Sequence, residues 1–124
     1  MPVAAEVIAY KAELKASYEI PPNQSKATGS VTISYDTVEK FLSWKGSFTG
    51  LSGPVTAAHF HGPATFSKNA GIALPIVSGN LLSPFEGSAN LTDAQAADLK
   101  AGRWYVNLHT AAFPAGEIRG QVVK

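Results

Sequence analysis

A chain of 124 residues with 45% hydrophobic and 15% charged residues holds enough apolar material for one core, and too much for a disordered chain. Lys and Arg exceed Asp and Glu by one, a net charge of +1, which argues against a broad phosphate-binding face and so against nucleic acid as a partner. Cysteine is absent, which excludes disulfides and thiolate ligands, and no apolar run approaches the roughly 20 residues that span a bilayer.

The start, Met1-Pro2-Val3-Ala4-Ala5, has no basic n-region, and Glu6 and Lys11 interrupt any h-region, so it does not read as a secretory signal. Eleven glycines and eight prolines are spread along the chain and cut it into short segments, as an all-β sandwich or barrel requires. Val7 to Ala16 alternates, with Ile8, Tyr10, Ala12 and Leu14 on one face and Lys11, Glu13 and Lys15 on the other, a strand pattern in a segment that also admits a helix. Ile20-Pro21-Pro22-Asn23 reads as an extended corner.

Ser30 to Tyr35 is rich in strand formers, and Phe41 to Phe48 follows within hairpin distance as its antiparallel partner. Leu51 to Pro54 reads as a turn, Thr56 to His61 as a strand, Gly62 to Gly71 as a loop and Ile72 to Val77 as a short apolar strand. A single helix is predicted over residues 93–100. Thr92 caps it, Gln95 completes a capping box, and Gly102 stands where a C′ glycine ends it. Trp104 to Thr110 and Glu117 to Val122 are the last two strands, around the turn Phe113-Pro114-Ala115-Gly116. Trp44 and Trp104 read as core. The expectation is a single domain, all-β, with one short helix.

The chain has three histidines. His59 and His61 lie two apart in a predicted strand, so both imidazoles leave one face while Phe60 enters the core. His109 belongs to Tyr105-Val106-Asn107-Leu108-His109, where Val106 and Leu108 share the apolar face. Tyr105, Asn107 and His109 share the opposite, outward one. If the two strands pair, three imidazoles converge on one ion, with a position left open. All-nitrogen ligation suits copper, with zinc as the alternative, better than the oxygen-seeking Mg or Ca.

Glu117, Arg119 and Gln121 alternate on one face of the last strand. Glu117 is a candidate carboxylate to orient a histidine N–H, and Arg119 a candidate to attract a small anion. Against these stands an exposed pair on a sheet face, worth about 0–1 kcal/mol. Asn107 and Tyr105 are candidate neighbours of the ion.

Four segments carry a resemblance: Tyr18-Glu19-Ile20-Pro21-Pro22; Ala57 to Ala64, containing His59-Phe60-His61-Gly62-Pro63; Ala101 to Thr110; and Pro114 to Gln121. In that order they resemble the CHRD domain, the module first named from chordin, over about residues 8–123. Ile20 and Phe60 stand where Val and Ile are more usual. The resemblance implies an immunoglobulin-like, Greek-key β-sandwich or barrel, exported to a secreted or periplasmic location, and it implies no activity.

A second similarity, of arrangement, is to the Cu,Zn superoxide dismutases. By position His59, His61 and His109 match copper ligands, and Arg119 the arginine beside copper. No fourth histidine bridges to zinc and no cysteine forms the family disulfide, so a bimetallic dismutase is excluded while a copper-only relative is not. Three readings follow, in this order: a non-catalytic metal-binding module, a structural or adhesion domain without metal, and a copper-dependent redox enzyme of the dismutase kind. Neither a protein partner nor a homo-oligomer is specified by the sequence.

Overall fold

The computed structural model describes residues 6–77, 79 and 81–124. Among the described residues eight strands and one α-helix form in chain order: β1 (Val7–Lys15), β2 (Thr28–Asp36), β3 (Phe41–Thr49), β4 (Val55–His61), β5 (Ile72–Val77), β6 (Phe85–Asn90), α1 (Asp93–Lys100), β7 (Tyr105–Thr110) and β8 (Ile118–Gln121). All strand pairs are antiparallel, in the order β5-β4-β7-β8-β1-β2-β3-β6. The sheet curls until it is nearly closed into a barrel. Trp44 of β3 and Phe60 of β4, with four strands between them in that order, meet edge to face with ring centres 5.2 Å apart.

The alternation predicted for the first strand holds, with Tyr10, Ala12 and Leu14 buried while Lys11, Glu13 and Lys15 are exposed. The β2–β3 hairpin closes where Asp36 Oδ1 accepts from the amides of Val38 (2.9 Å) and Glu39 (3.0 Å). The helix starts as predicted: Thr92 Oγ1 accepts from the Gln95 amide (3.1 Å) and Gln95 Oε1 from the Thr92 amide (2.9 Å). Gly102 takes φ 74° just beyond its end. Gln95 Nε2 also donates to the Ala73 carbonyl (2.8 Å), fastening the helix to edge strand β5.

One strand was not expected. Over β6 the inward positions are Phe85, Gly87 and Ala89, a pattern too weak to announce a strand from sequence. The glycine is there because Trp44 lies opposite, and a Cβ at Gly87 would come within 2.5 Å of its Cζ2. Phe85 in turn lies over Gly46. Large and small residues thus alternate across β3 and β6 and fill the core at one level. The core as a whole, including Trp104, Leu99, Leu108 and Ile118, lies inside the curl.

Outside the curl, the face of β4, β7 and β8 is roofed rather than bare. The corner at Glu19 to Asn23 and the loop Gly62 to Gly71 lie over it, tied together by Asn69 Nδ2 donating to the Ile20 carbonyl (2.9 Å). Gln121 Nε2 donates to the Ala64 carbonyl (2.9 Å) from below. The polar residues expected on an exposed face are therefore buried: Asn107 is 3% exposed, Arg119 1% and Glu117 0%. That corrects the exposed-face reading, because segments distant in sequence supply the cover.

Candidate metal centre

Strands β4 and β7 pair, which meets the condition for convergence, with His59 opposite Asn107, His61 opposite Tyr105 and Ala57 opposite His109. The third histidine is thus a diagonal neighbour of His59, not a directly opposed one. Diagonal partners remain within reach of a long side chain. One ring nitrogen from each of His59, His61 and His109 lies within 4.8 Å of the other two. Ring centres are 5.0 Å apart for His59 and His109, 5.3 Å for His59 and His61, and 6.1 Å for His61 and His109.

Backbone carbonyls set the tautomers. His61 Nδ1 lies 3.0 Å from the Ala70 carbonyl and His109 Nδ1 lies 2.9 Å from the Pro114 carbonyl. A carbonyl only accepts, so each Nδ1 carries the proton and each Nε2 presents a lone pair. His59 Nδ1 lies 3.2 Å from His109 Nε2 and so donates to it. His61 Nε2 is buried and has no hydrogen-bond partner among the described residues. A histidine whose second nitrogen is anchored on a carbonyl has the orientation expected of a metal ligand.

Burial, followed by the neighbouring His109 and His61 rings, holds the His59 pKa below the ordinary value. Burial does the same for His61, against the opposing pull of its bonds to Ala70 and of Asn107 beside it. Both rings are therefore neutral near pH 7, the form that binds metal. His61 stacks on Tyr105, ring centres 4.9 Å apart at 5°. The Tyr105 hydroxyl accepts from the Ala70 amide (3.0 Å) and donates to its carbonyl (3.1 Å). Tyr105 and Asn107 thus both lie beside the cluster.

Two expected roles do not survive the geometry. Glu117 touches none of the histidines among its hydrogen bonds. Its carboxylate accepts instead from Ser25 Oγ (2.6 Å), Ser52 Oγ (2.6 Å), the Ser52 amide (3.1 Å) and Thr110 Oγ1 (2.7 Å). Arg119 does not look outward from the cluster. Its guanidinium donates to Asn69 Oδ1 (2.8 Å) and to the carbonyls of Thr65 (3.2 Å) and Lys68 (2.7 Å), and lies 3.5 Å from the Tyr105 ring centre. A cation so enclosed cannot serve as the exposed anion guide that the dismutase similarity implied.

One residue was overlooked. Glu19 is 6% exposed, and its Oε2 has no hydrogen-bond partner among the described residues. Burial pushes its pKa up to about 7, although Arg119 and Asn107 pull the other way. Gly116 allows the approach: it has φ 127°, and a Cβ there would lie 2.5 Å from Glu19 Oε2 and 2.6 Å from Asn107 Nδ2. The sequence signal for Glu19 was its place in the segment Tyr18 to Pro22, and no pattern of its own.

Among the described residues no helix is long and apolar enough to cross a membrane. No curated protein and no solved structure gave a match. The family model described as the CHRD domain matches residues 10–122, nearly the whole chain and the span over which the four motifs run. The three-histidine cluster is therefore carried on a member of a known β-fold family, and this chain belongs to the CHRD family.

Proposed function

We propose that this chain is an exported, non-catalytic metal-binding module that holds one ion through His59, His61 and His109, with copper favoured and zinc the alternative. The observation that carries the reading is the convergence of three ring nitrogens within 4.8 Å, together with a buried His61 Nε2 that has no hydrogen-bond partner among the described residues. An unsatisfied buried acceptor costs stability unless something fills the need. A cation shared by three neutral imidazoles does so.

The donor set bears on the metal. His61 and His109 offer Nε2, while His59 offers Nδ1 once its proton has moved to Nε2. Neutral imidazoles favour copper and zinc over oxygen-seeking ions. Export rests on the family resemblance alone.

Calorimetric titration with Cu(II) and with Zn(II) tests the reading. The wild-type protein is expected to take up one ion per chain, and His61→Ala to bind at least ~100-fold more weakly, beyond what loss of a supporting group costs. Saturating metal should also raise the unfolding free energy, by about 2.7 kcal/mol at a hundred times Kd. Negligible uptake by both proteins, with melting unmoved by either metal, would leave a structural domain whose histidines are incidental.

A further inference from the structure

Arg119 is 1% exposed, and although the Glu19 carboxyl acts on it through space, among the described residues no carboxylate lies within 4.0 Å of its guanidinium to pair with it directly. A buried cation without a paired anion is costly, so its other contacts have to offset that cost. They fall into two groups. Nη1 and Nη2 reach Asn69 Oδ1 and the carbonyls of Thr65 and Lys68, all in the loop Gly62 to Gly71. The plane of the guanidinium lies against Tyr105, 3.5 Å from the ring centre. Strand β7 stands between β8, which carries Arg119, and β4, which carries His61. The Tyr105 ring is thus flanked by Arg119 on one side and by His61 on the other, stacked at 4.9 Å.

Both groups of contacts end on His61. The loop that Arg119 holds includes Ala70, whose carbonyl receives the His61 Nδ1 proton. The same carbonyl receives the Tyr105 hydroxyl proton. We infer that Arg119 is a positioning residue for the three-histidine cluster: by fixing the 62–71 loop and Tyr105 together, it locks the tautomer and orientation of the His61 ring. The role demands arginine. A planar fork can donate to three acceptors and stack on a ring at once, whereas a lysine ammonium is a point charge on a flexible stem.

The inference rests on the metal-binding reading for its consequence but not for its geometry, and the test separates the two. In the metal-free protein, Arg119→Met keeps an apolar stem and removes the guanidinium. Amide hydrogen exchange over residues 65–71 is expected to speed up at least ~10-fold while β1 and β2 keep their protection. The nitrogen NMR signals of the His61 ring are expected to lose the single Nδ1–H form. In the copper-loaded protein the same change is expected to weaken binding about 10–100-fold and to alter the nitrogen hyperfine pattern in the Cu(II) EPR spectrum.

Asn69→Ala removes the Oδ1 acceptor of Arg119 together with the Nδ2 bond to the Ile20 carbonyl, and Asn69→Asp removes the second alone. The loop and ring changes are expected in milder form in the alanine variant and not in the aspartate one. This pair decides the matter should Arg119→Met fail to fold. Unchanged loop exchange and an unchanged His61 ring in the folded variant would overturn the role of Arg119, whatever the metal does. Should the wild-type protein bind no copper while Arg119→Met still shows the loop and ring changes, the metal reading would be overturned and the positioning role would stand.

Discussion

Replacing Glu117 with alanine is expected to lower folding stability by about 2–4 kcal/mol, the cost of taking from several neutral donors the charged acceptor they share. Metal uptake at His59, His61 and His109 should not change. The carboxylate joins three parts of the chain: Ser25 ahead of β2, Ser52 in the turn after β3 and Thr110 at the end of β7. Truncation removes the acceptor for all of them and leaves Thr110, which is 0% exposed, with only the longer contact to Ser52 Oγ (3.4 Å). Burial alone would push the Glu117 pKa up, but the bonds from Ser25, Ser52 and Thr110 outweigh it and hold the group below its ordinary value.

The linkage follows from that direction. A depressed pKa gives stability that is present above the unfolded value of 4.5 and lost as pH falls through the folded one. The alanine variant should therefore lose part of the acid sensitivity of the wild type. Urea unfolding measures the stability, and calorimetry the metal binding. A loss under about 1 kcal/mol would mean that the carboxylate is worth no more than a surface pair. A fall in metal affinity would return Glu117 to the role of orienting a histidine.

For Glu19 the sign is reversed. Its pKa rises from 4.5 to about 7 on folding, so between those values the native state binds more protons than the unfolded chain. Stability from this group is complete below pH 4.5 and is lost as pH rises through about 7. Glu19→Gln keeps the size and the neutral polar head but cannot ionise. Relative to wild type, the glutamine variant is expected to gain about 2–3 kcal/mol between pH 5 and pH 8, from roughly 1.4 kcal/mol per pK unit.

Histidine titration contributes to both proteins and cancels in the difference. The lowered pKa values of His59 and His61 take stability away as pH falls below about 6.5. Chemical unfolding at the two pH values, with a chelator present, gives the number. A difference that does not vary with pH would show that Glu19 ionises as a solvated carboxylate does.

The parts legible in the sequence were those written at short range. Tyr10, Ala12 and Leu14 recur every second residue, so the inward face of β1 could be read directly. Thr92 and Gln95 satisfy each other across a single helical turn, so the helix start was equally plain. His59 and His61 share a face for the same reason, and Phe60 between them is buried. β6 escaped because its inward residues, with Gly87 among them, make sense only beside Trp44 and Gly46 of another strand.

Composition and periodicity determined the all-β class, the single helix and the common face of His59 and His61, because each depends on residues within a few positions of one another. Tertiary structure alone decided the diagonal approach of His109, the enclosure of Arg119 by Thr65, Lys68 and Asn69, the capture of Glu117 by Ser25 and Ser52, and the burial of Glu19. Side chains such as Glu117 and Arg119, polar and alternating, look the same from sequence whether they meet water or a loop folded over them. Only the closing of the sheet, which brings distant segments across its outer face, determines which they meet.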